Sequence, residues 1–194
     1  VKKDHSLKGQ LKLIENGNII SLEFPNLGNV IYNMNEGLGK YDEGDLQEAQ
    51  CKNIMLKVPG EHTFEGDSSV GEMQVNCTFK KDSSDSLRGA FISIPIKIDE
   101  NNESEFSKEL QVLVNEKTTY ENLPKDINFN VIDIIDGYVM QDGVYYYEGQ
   151  SNIPPCDIFS IWFYVNKPVN FSQKVIDQLK KCMDSKKCPE GNNR

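Results

Sequence analysis

The chain has 194 residues, of which 38% are apolar and 26% charged, with a net charge of −9 and a sequence pI near 4.8. That length suits one globular domain with a real core, and the acidic balance repels phosphate backbones, which excludes nucleic acid as an expected partner. The longest apolar runs, such as Ala90–Ile96, are far too short to cross a bilayer. No basic-then-apolar leader opens the sequence, so a signal peptide is expected to be absent or already removed.

In chain order, QLKLIENGNIISLEF reads as a hairpin, with apolar-rich arms on either side of an Asn16–Gly17 turn. Residues 26–45 are rich in Gly, Asn and Asp and read as loop, with at most a short strand near Val30–Tyr32. Lys52–Val58 and Gly71–Phe79 read as strands joined by a loop at Pro59–Ser69. Gly89–Ile98 suits a strand buried on both faces. Ser104 is a cap for a helix over Glu105–Glu116, where Phe106, Leu110 and Leu113 recur at helical spacing. Tyr145–Tyr147 and Ser160–Val165 read as further strands around GQSNIPP. Either Asn170 or Ser172 caps a last helix running to about Cys182, with Val175, Ile176 and Leu179 inward. No internal repeat or linker interrupts the chain, so residues 1–194 are expected to form one mostly-β domain with a few surface helices.

Five cysteines and two histidines, His5 and His62, limit the chemistry. No CxxC pair suggests a zinc knuckle. Cys182 and Cys188 flank a short polar loop, a spacing that suits a local disulfide, and the odd count leaves a thiol over. Sequons begin at Asn76, Asn102 and Asn170, close to the number chance gives and so uninformative; the cysteines lean towards the secretory pathway or the cell exterior, with an organelle protein complex as the alternative. Any mechanism needing three imidazoles is excluded. DENNESE lacks the alternating ligands and glycine of a calcium loop and reads as solvated. Nothing in the spacing around His62 supports a nucleophilic triad.

Several stretches together are similar to one family. GEHTFEGDSSVGEMQVN resembles the α-class carbonic anhydrase signature of Ser-Glu-His-Thr followed by a Glu-x-His strand. YYYEGQSNIPPC and IWFYVNKPVNFSQKVIDQL resemble the family's Tyr-x-Gly-Ser-x-Thr-x-Pro-Pro-Cys stretch, its Trp-containing strand and its Lys-Pro helix start. LIENGNIISLEF resembles its Asn-Gly-His hairpin, and the closing GNNR its Asn-x-Arg. The matches run in order along nearly the whole chain. The family's first segment and final strands have no counterpart, so a domain trimmed at both ends, or a divergent short form, is expected. The fold that the resemblance implies is a large twisted, mostly antiparallel central sheet with short peripheral helices.

Active members of that family hold a catalytic zinc with three histidines. The resemblance places Met55, Lys57 and Gln74 at those ligand positions, Asn18 at the proton-shuttle histidine and Asn152 at the gatekeeper threonine. Glu61, His62 and Glu72, which support the zinc ligands in the family, are retained, as are Tyr147, Gly149, Pro154, Pro155 and Trp162. Cys156 matches a position that secreted members bridge to an upstream cysteine. Methionine, lysine and glutamine do not replace three neutral imidazoles, so no metal, no cofactor and no hydratase activity are expected.

The implied role is a binding or structural module that meets a protein partner. Its alternatives are a metal-free enzyme using Lys57, Glu61 and Glu72, or a small-molecule binder in the remodelled cleft. Side chains such as Met55 and Ile92 are expected to fill the old cavity. If Met55 faces Gln74, Lys57 faces Glu72; an ion pair between them and a Lys57 turned to solvent are equally weighted expectations.

Overall fold

The computed structural model describes residues 6–13, 19–33, 46–79, 89–119, 122, 126–130, 143–152, 156 and 159–184. Along these run strands β1 (Ser6–Leu13), β2 (Ile19–Asn33), β3 (Leu46–Lys57), β4 (Thr63–Phe64), β5 (Asp67–Ser68), β6 (Gly71–Phe79) and β7 (Gly89–Ile98). Helix α1 (Glu105–Leu113) follows, then β8 (Asp126–Asn130), β9 (Val144–Gln150), β10 (Phe159–Val165), β11 (Val169–Phe171) and helix α2 (Gln173–Asp184). Nine strands form one sheet in the order β8-β1-β2-β3-β6-β7-β10-β9, with β11 also on β7, while β4 and β5 form a separate hairpin. All neighbours are antiparallel except β10 and β11, which run parallel to β7. The fold is therefore mainly β with peripheral helices, as expected.

The differences from the sequence reading are local. Residues 26–33, expected to be mostly loop, continue β2. The register slips between Glu23 and Gly28, where Gly28 sits at φ 131°, and Asn29–Asn33 then pair with Gln50–Leu46. The Gly and Asn there belong to a bulge, not a loop, because a residue at positive φ re-aims the strand without ending it. β3 accordingly begins at Leu46, six residues earlier than expected. The loop at Pro59–Ser69 contains the β4–β5 hairpin, turned by Glu65 and Gly66 at φ 52° and 91°. α1 stops at Leu113, short of Glu116. Ser172, rather than Asn170, caps α2, accepting from Val175 N at 3.4 Å, while Asn170 lies in β11. The Asn16–Gly17 turn and the closing GNNR lie outside the described residues.

Period-two alternation sorts the central strands onto two faces. One face is the main core. Ile54 and Leu56 of β3, Met73 and Val75 of β6, and Ala90, Ile92, Ile94 and Ile96 of β7 pack there. The helices close it with Phe106 and Leu110 of α1 and Val175, Ile176 and Leu179 of α2. Ser104 ties them to the sheet: its hydroxyl accepts from Ser107 N and donates to Asn170 O at 2.8 Å. The other face carries Met55, Lys57, Glu72, Gln74, Phe91, Ser93 and Trp162. Ile92 thus belongs to the core and not to the expected cavity filling, because a neighbour one step along a strand points to the opposite face. Met55 does fill the second face, in a small apolar cluster with Ile19, Phe91 and Trp162.

One covalent link was not expected. Cys51 of β3 stands opposite Cys77 of β6, and the two form a buried disulfide. Cys188 lies outside the described residues, so the expected Cys182–Cys188 bridge has no described geometry; Cys182 is buried on α2.

Candidate functional site

The pairing of β3 with β6 fixes the site. Met55 stands opposite Gln74 and Lys57 opposite Glu72. β6 pairs in turn with β7, which puts Ser93 opposite Gln74. Five polar or sulfur-bearing side chains from three strands therefore share one buried patch, and Met55, Lys57, Glu72, Gln74 and Ser93 are each at most 2% exposed. The chain between β3 and β4 folds over this patch and delivers Glu61 and His62.

Glu72 is the hub. Its Oε2 accepts from the backbone N–H of Glu61 at 3.0 Å and of His62 at 2.9 Å. Its Oε1 accepts from Gln74 Nε2 at 2.5 Å, Ser93 Oγ at 2.6 Å and His62 Nδ1 at 2.7 Å. Burial alone would raise its pKa, but the hydrogen bonds from His62, Gln74 and Ser93 and the charge of His62 outweigh burial and hold it at about 2. A buried carboxylate with five donors is satisfied, as buried charge must be.

His62 continues the chain of contacts. Its Nε2 lies 2.6 Å from Tyr147 Oη. Burial, then the nearby Glu72 and Glu61 charges, push the Tyr147 phenol up to about 12, so it keeps its proton. The ring sits among aromatics, with Trp162 and Tyr164 at 5.3 Å and Tyr147 edge-on at 5.8 Å. Trp162 is itself stacked between Phe91 at 4.4 Å and Tyr147 at 6.0 Å. His62 is thus a half-buried histidine held in place by Glu72 and Tyr147.

Lys57 does not pair with Glu72. Its Nζ lies 2.7 Å from Glu61 Oε2, and no acceptor among the described residues meets it at good hydrogen-bond alignment, so the contact is one of charge. The expected Lys57–Glu72 pair is corrected for a physical reason: the five donors already fill the lone pairs of Glu72, whereas Glu61, 45% exposed on the covering loop, is free to turn inward. The alternative, Lys57 turned to solvent, is equally set aside. Burial lowers the Lys57 pKa, and Glu61 and Glu72 only partly restore it. Asn152 donates Nδ2 to Glu61 Oε2 and, at 3.0 Å, to Gln74 Oε1. Its own Oδ1 is buried without a partner among the described residues.

These groups do not suit a dication. Met55 offers a thioether packed in an apolar cluster, Lys57 an ammonium with no lone pair, and Gln74 an amide already committed at both ends. Among the described residues no set of three or more His, Cys, Asp or Glu is placed to hold a metal. Asn18, Pro154 and Pro155 lie outside the described residues. Cys156 is half-buried and makes no disulfide among the described residues. The Asp99–Asn102 turn is tied by its own Asp99 carboxylate, which accepts from Asn101 N and Asn102 N. Reading the sequence missed Ser93, although a lone hydroxyl in the middle of an apolar run was its signal. It also missed the Cys51–Cys77 bridge, which depends on a register that no spacing reveals.

Comparison with known proteins identifies the fold. No curated protein matches the chain. Among solved structures, a fungal α-carbonic anhydrase from Aspergillus oryzae superposes with a TM-score of 0.69 at 13% identity, covering 93% of this chain and 67% of that one. Dioscorin complexed with ascorbate gives 0.68 at 19% identity, covering 93% and 66%. The α-carbonic anhydrase of Thermovibrio ammonificans, solved with the inhibitor sulfanilamide, gives 0.66 at 17%, covering 94% and 69%. The chain therefore spans about two-thirds of the length of these proteins. The sequence profile of eukaryotic-type carbonic anhydrases matches residues 3–193, and the chain belongs to that family.

Proposed function

We propose that this chain is a zinc-less, non-catalytic binding module on the carbonic anhydrase fold, acting through a protein partner in a larger assembly or a surface protein. One observation supports the loss of chemistry. Met55, Lys57 and Gln74 share one buried patch of β3 and β6 and carry a thioether, an ammonium and a committed amide where three imidazoles would be needed. A bound dication is what brings the pKa of water to about 7 in such enzymes, and this donor set does not hold one. Asn18 and Asn152, at the positions of the shuttle and the gatekeeper, remove proton transfer and orientation as well. The buried Cys51–Cys77 bridge is compatible with a secretory or extracellular location, with an organelle complex as the alternative.

A second reading, binding of a small molecule in the remodelled cleft, is favoured by Asn152 Oδ1, a buried acceptor beside Glu61 and Gln74 without a hydrogen-bond partner among the described residues, and by the ascorbate held by a protein of the same fold. Metal-free acid–base catalysis through Glu72 is disfavoured, because five donors hold that carboxylate ionised and out of reach. The test is metal analysis and CO2 hydration on the native protein, with co-purification of its neighbours and a thermal-shift screen of small molecules. The proposal expects no zinc, no hydration and a stably bound protein. One equivalent of zinc, or hydration abolished by a sulfonamide, refutes it. A small-molecule shift without a protein partner favours the second reading.

A further inference from the structure

The two carboxylates of the cleft, Glu72 on its floor and Glu61 on the covering loop, are compensated in different ways. Glu72 has five hydrogen-bond donors. Glu61 has the amide of Asn152, a distant one from Gln74 at 3.5 Å, and the Lys57 ammonium at 2.7 Å. Lys57 is only 2% exposed. An ammonium so deeply placed costs free energy that a methionine of similar volume would not, and a buried ion pair is often no more stable than an apolar replacement. Stability alone therefore does not account for a lysine here. Its place does: the β3–β6 register puts it opposite Glu72, beside Gln74 and Met55, on the patch to which the family resemblance assigns the zinc-ligand positions.

We infer that Lys57 is a built-in counter-ion, whose ammonium supplies the carboxylates of the cleft with positive charge from within the chain and excludes divalent cations from it. This rests on the reading of a zinc-less module and gives that module a specific electrostatic design. The cleft is closed to metal by charge as well as by missing donors, and Glu61, with the loop that carries it, is held against β3 without a metal.

Two experiments test it. The first is a double-mutant cycle of Lys57→Met and Glu61→Gln followed by thermal unfolding. Glu61→Gln leaves the ammonium buried without its carboxylate and is expected to lower Tm by about 3 °C or more. In the Lys57→Met chain the same change is expected to cost less than about 1 °C. Equal shifts in the two backgrounds overturn the inference. The second compares cobalt(II) binding, read by visible absorption, in M55H/Q74H and M55H/K57M/Q74H. These differ only in the charge at position 57, since neither methionine nor lysine completes the ligand set. The chain without the ammonium is expected to bind cobalt at least about a hundredfold tighter; equal binding overturns the inference. If the histidine variants do not fold, the cycle decides alone. One equivalent of zinc in the unmodified protein sinks the zinc-less reading and this inference together, whereas equal shifts in a zinc-free protein sink this inference only.

Discussion

Glu72→Gln is the sharpest probe of the hub. The Glu72 pKa drops from 4.5 to about 2 on folding, and at about 1.4 kcal/mol per pH unit this linkage is worth about 3 kcal/mol. The sign follows from the depressed value. The stabilisation is fully present above about pH 4.5 and is lost as pH falls towards 2. The amide of glutamine also turns a donor towards the backbone N–H of Glu61 or His62, which both need an acceptor. At pH 7 the variant is expected to be about 3 kcal/mol less stable, a Tm drop of roughly 6–12 °C for a domain of this size. Urea unfolding at a series of pH values from 7 to 3 measures both effects. The wild-type protein should lose stability below pH 4.5 more steeply than Glu72→Gln. Parallel pH profiles for the two proteins would refute the hub, because they would mean that the carboxylate is not ionised by the fold.

Replacing Cys51 and Cys77 together by alanine opens a link across 26 residues and should cost about 3 kcal/mol by denaturant unfolding, which reduction of the wild-type protein should reproduce. Gly71→Ala puts a Cβ 2.9 Å from the carbonyl oxygen of Lys57, a backbone atom of the neighbouring strand; a loss of about 1–3 kcal/mol is expected, and a neutral result would mean that β3 and β6 are less tightly apposed. Trp162→Ala removes the ring stacked between Phe91 and Tyr147 and should cost about 3–5 kcal/mol. Expressed in a secretory host, the protein should carry a glycan at Asn102, which is exposed in a turn, and not at Asn76, half-buried in mid-strand beside the bridged Cys77. Loss of the endoglycosidase mass shift in Asn102→Gln checks this.

Much of this architecture is legible in the sequence wherever one physical signal dominates. Gly71–Phe79 alternates polar and apolar residues without interruption, and the strand has those limits. Ser104 stands before an apolar helical stripe and caps it. The clearest error, residues 26–33, arose where two signals conflict: Gly and Asn speak for a loop and the apolar residues beyond them for a strand. Only the partner strand decides in favour of a bulge. At the site, the facing pairs Met55–Gln74 and Lys57–Glu72 follow from counting back along two antiparallel strands. The ionic partner of Lys57 does not, because the covering loop that carries Glu61 has no periodicity from which its reach can be read.

The sorting of β3, β6 and β7 onto two faces has a wider consequence. Beyond the register shift that follows Cys51, odd positions of β3 such as Met55 and Lys57 answer to the cleft and even positions such as Ile54 and Leu56 to the core, so the two sets are free to change independently. A lineage can discard its chemistry through a handful of substitutions on one side of the sheet while the helices on the other side register nothing. Chains that keep the core side will be recognised by the rhythm of their hydrophobic positions long after the other side has diverged, which is how a structural likeness near 0.7 coexists here with 13–19% identity.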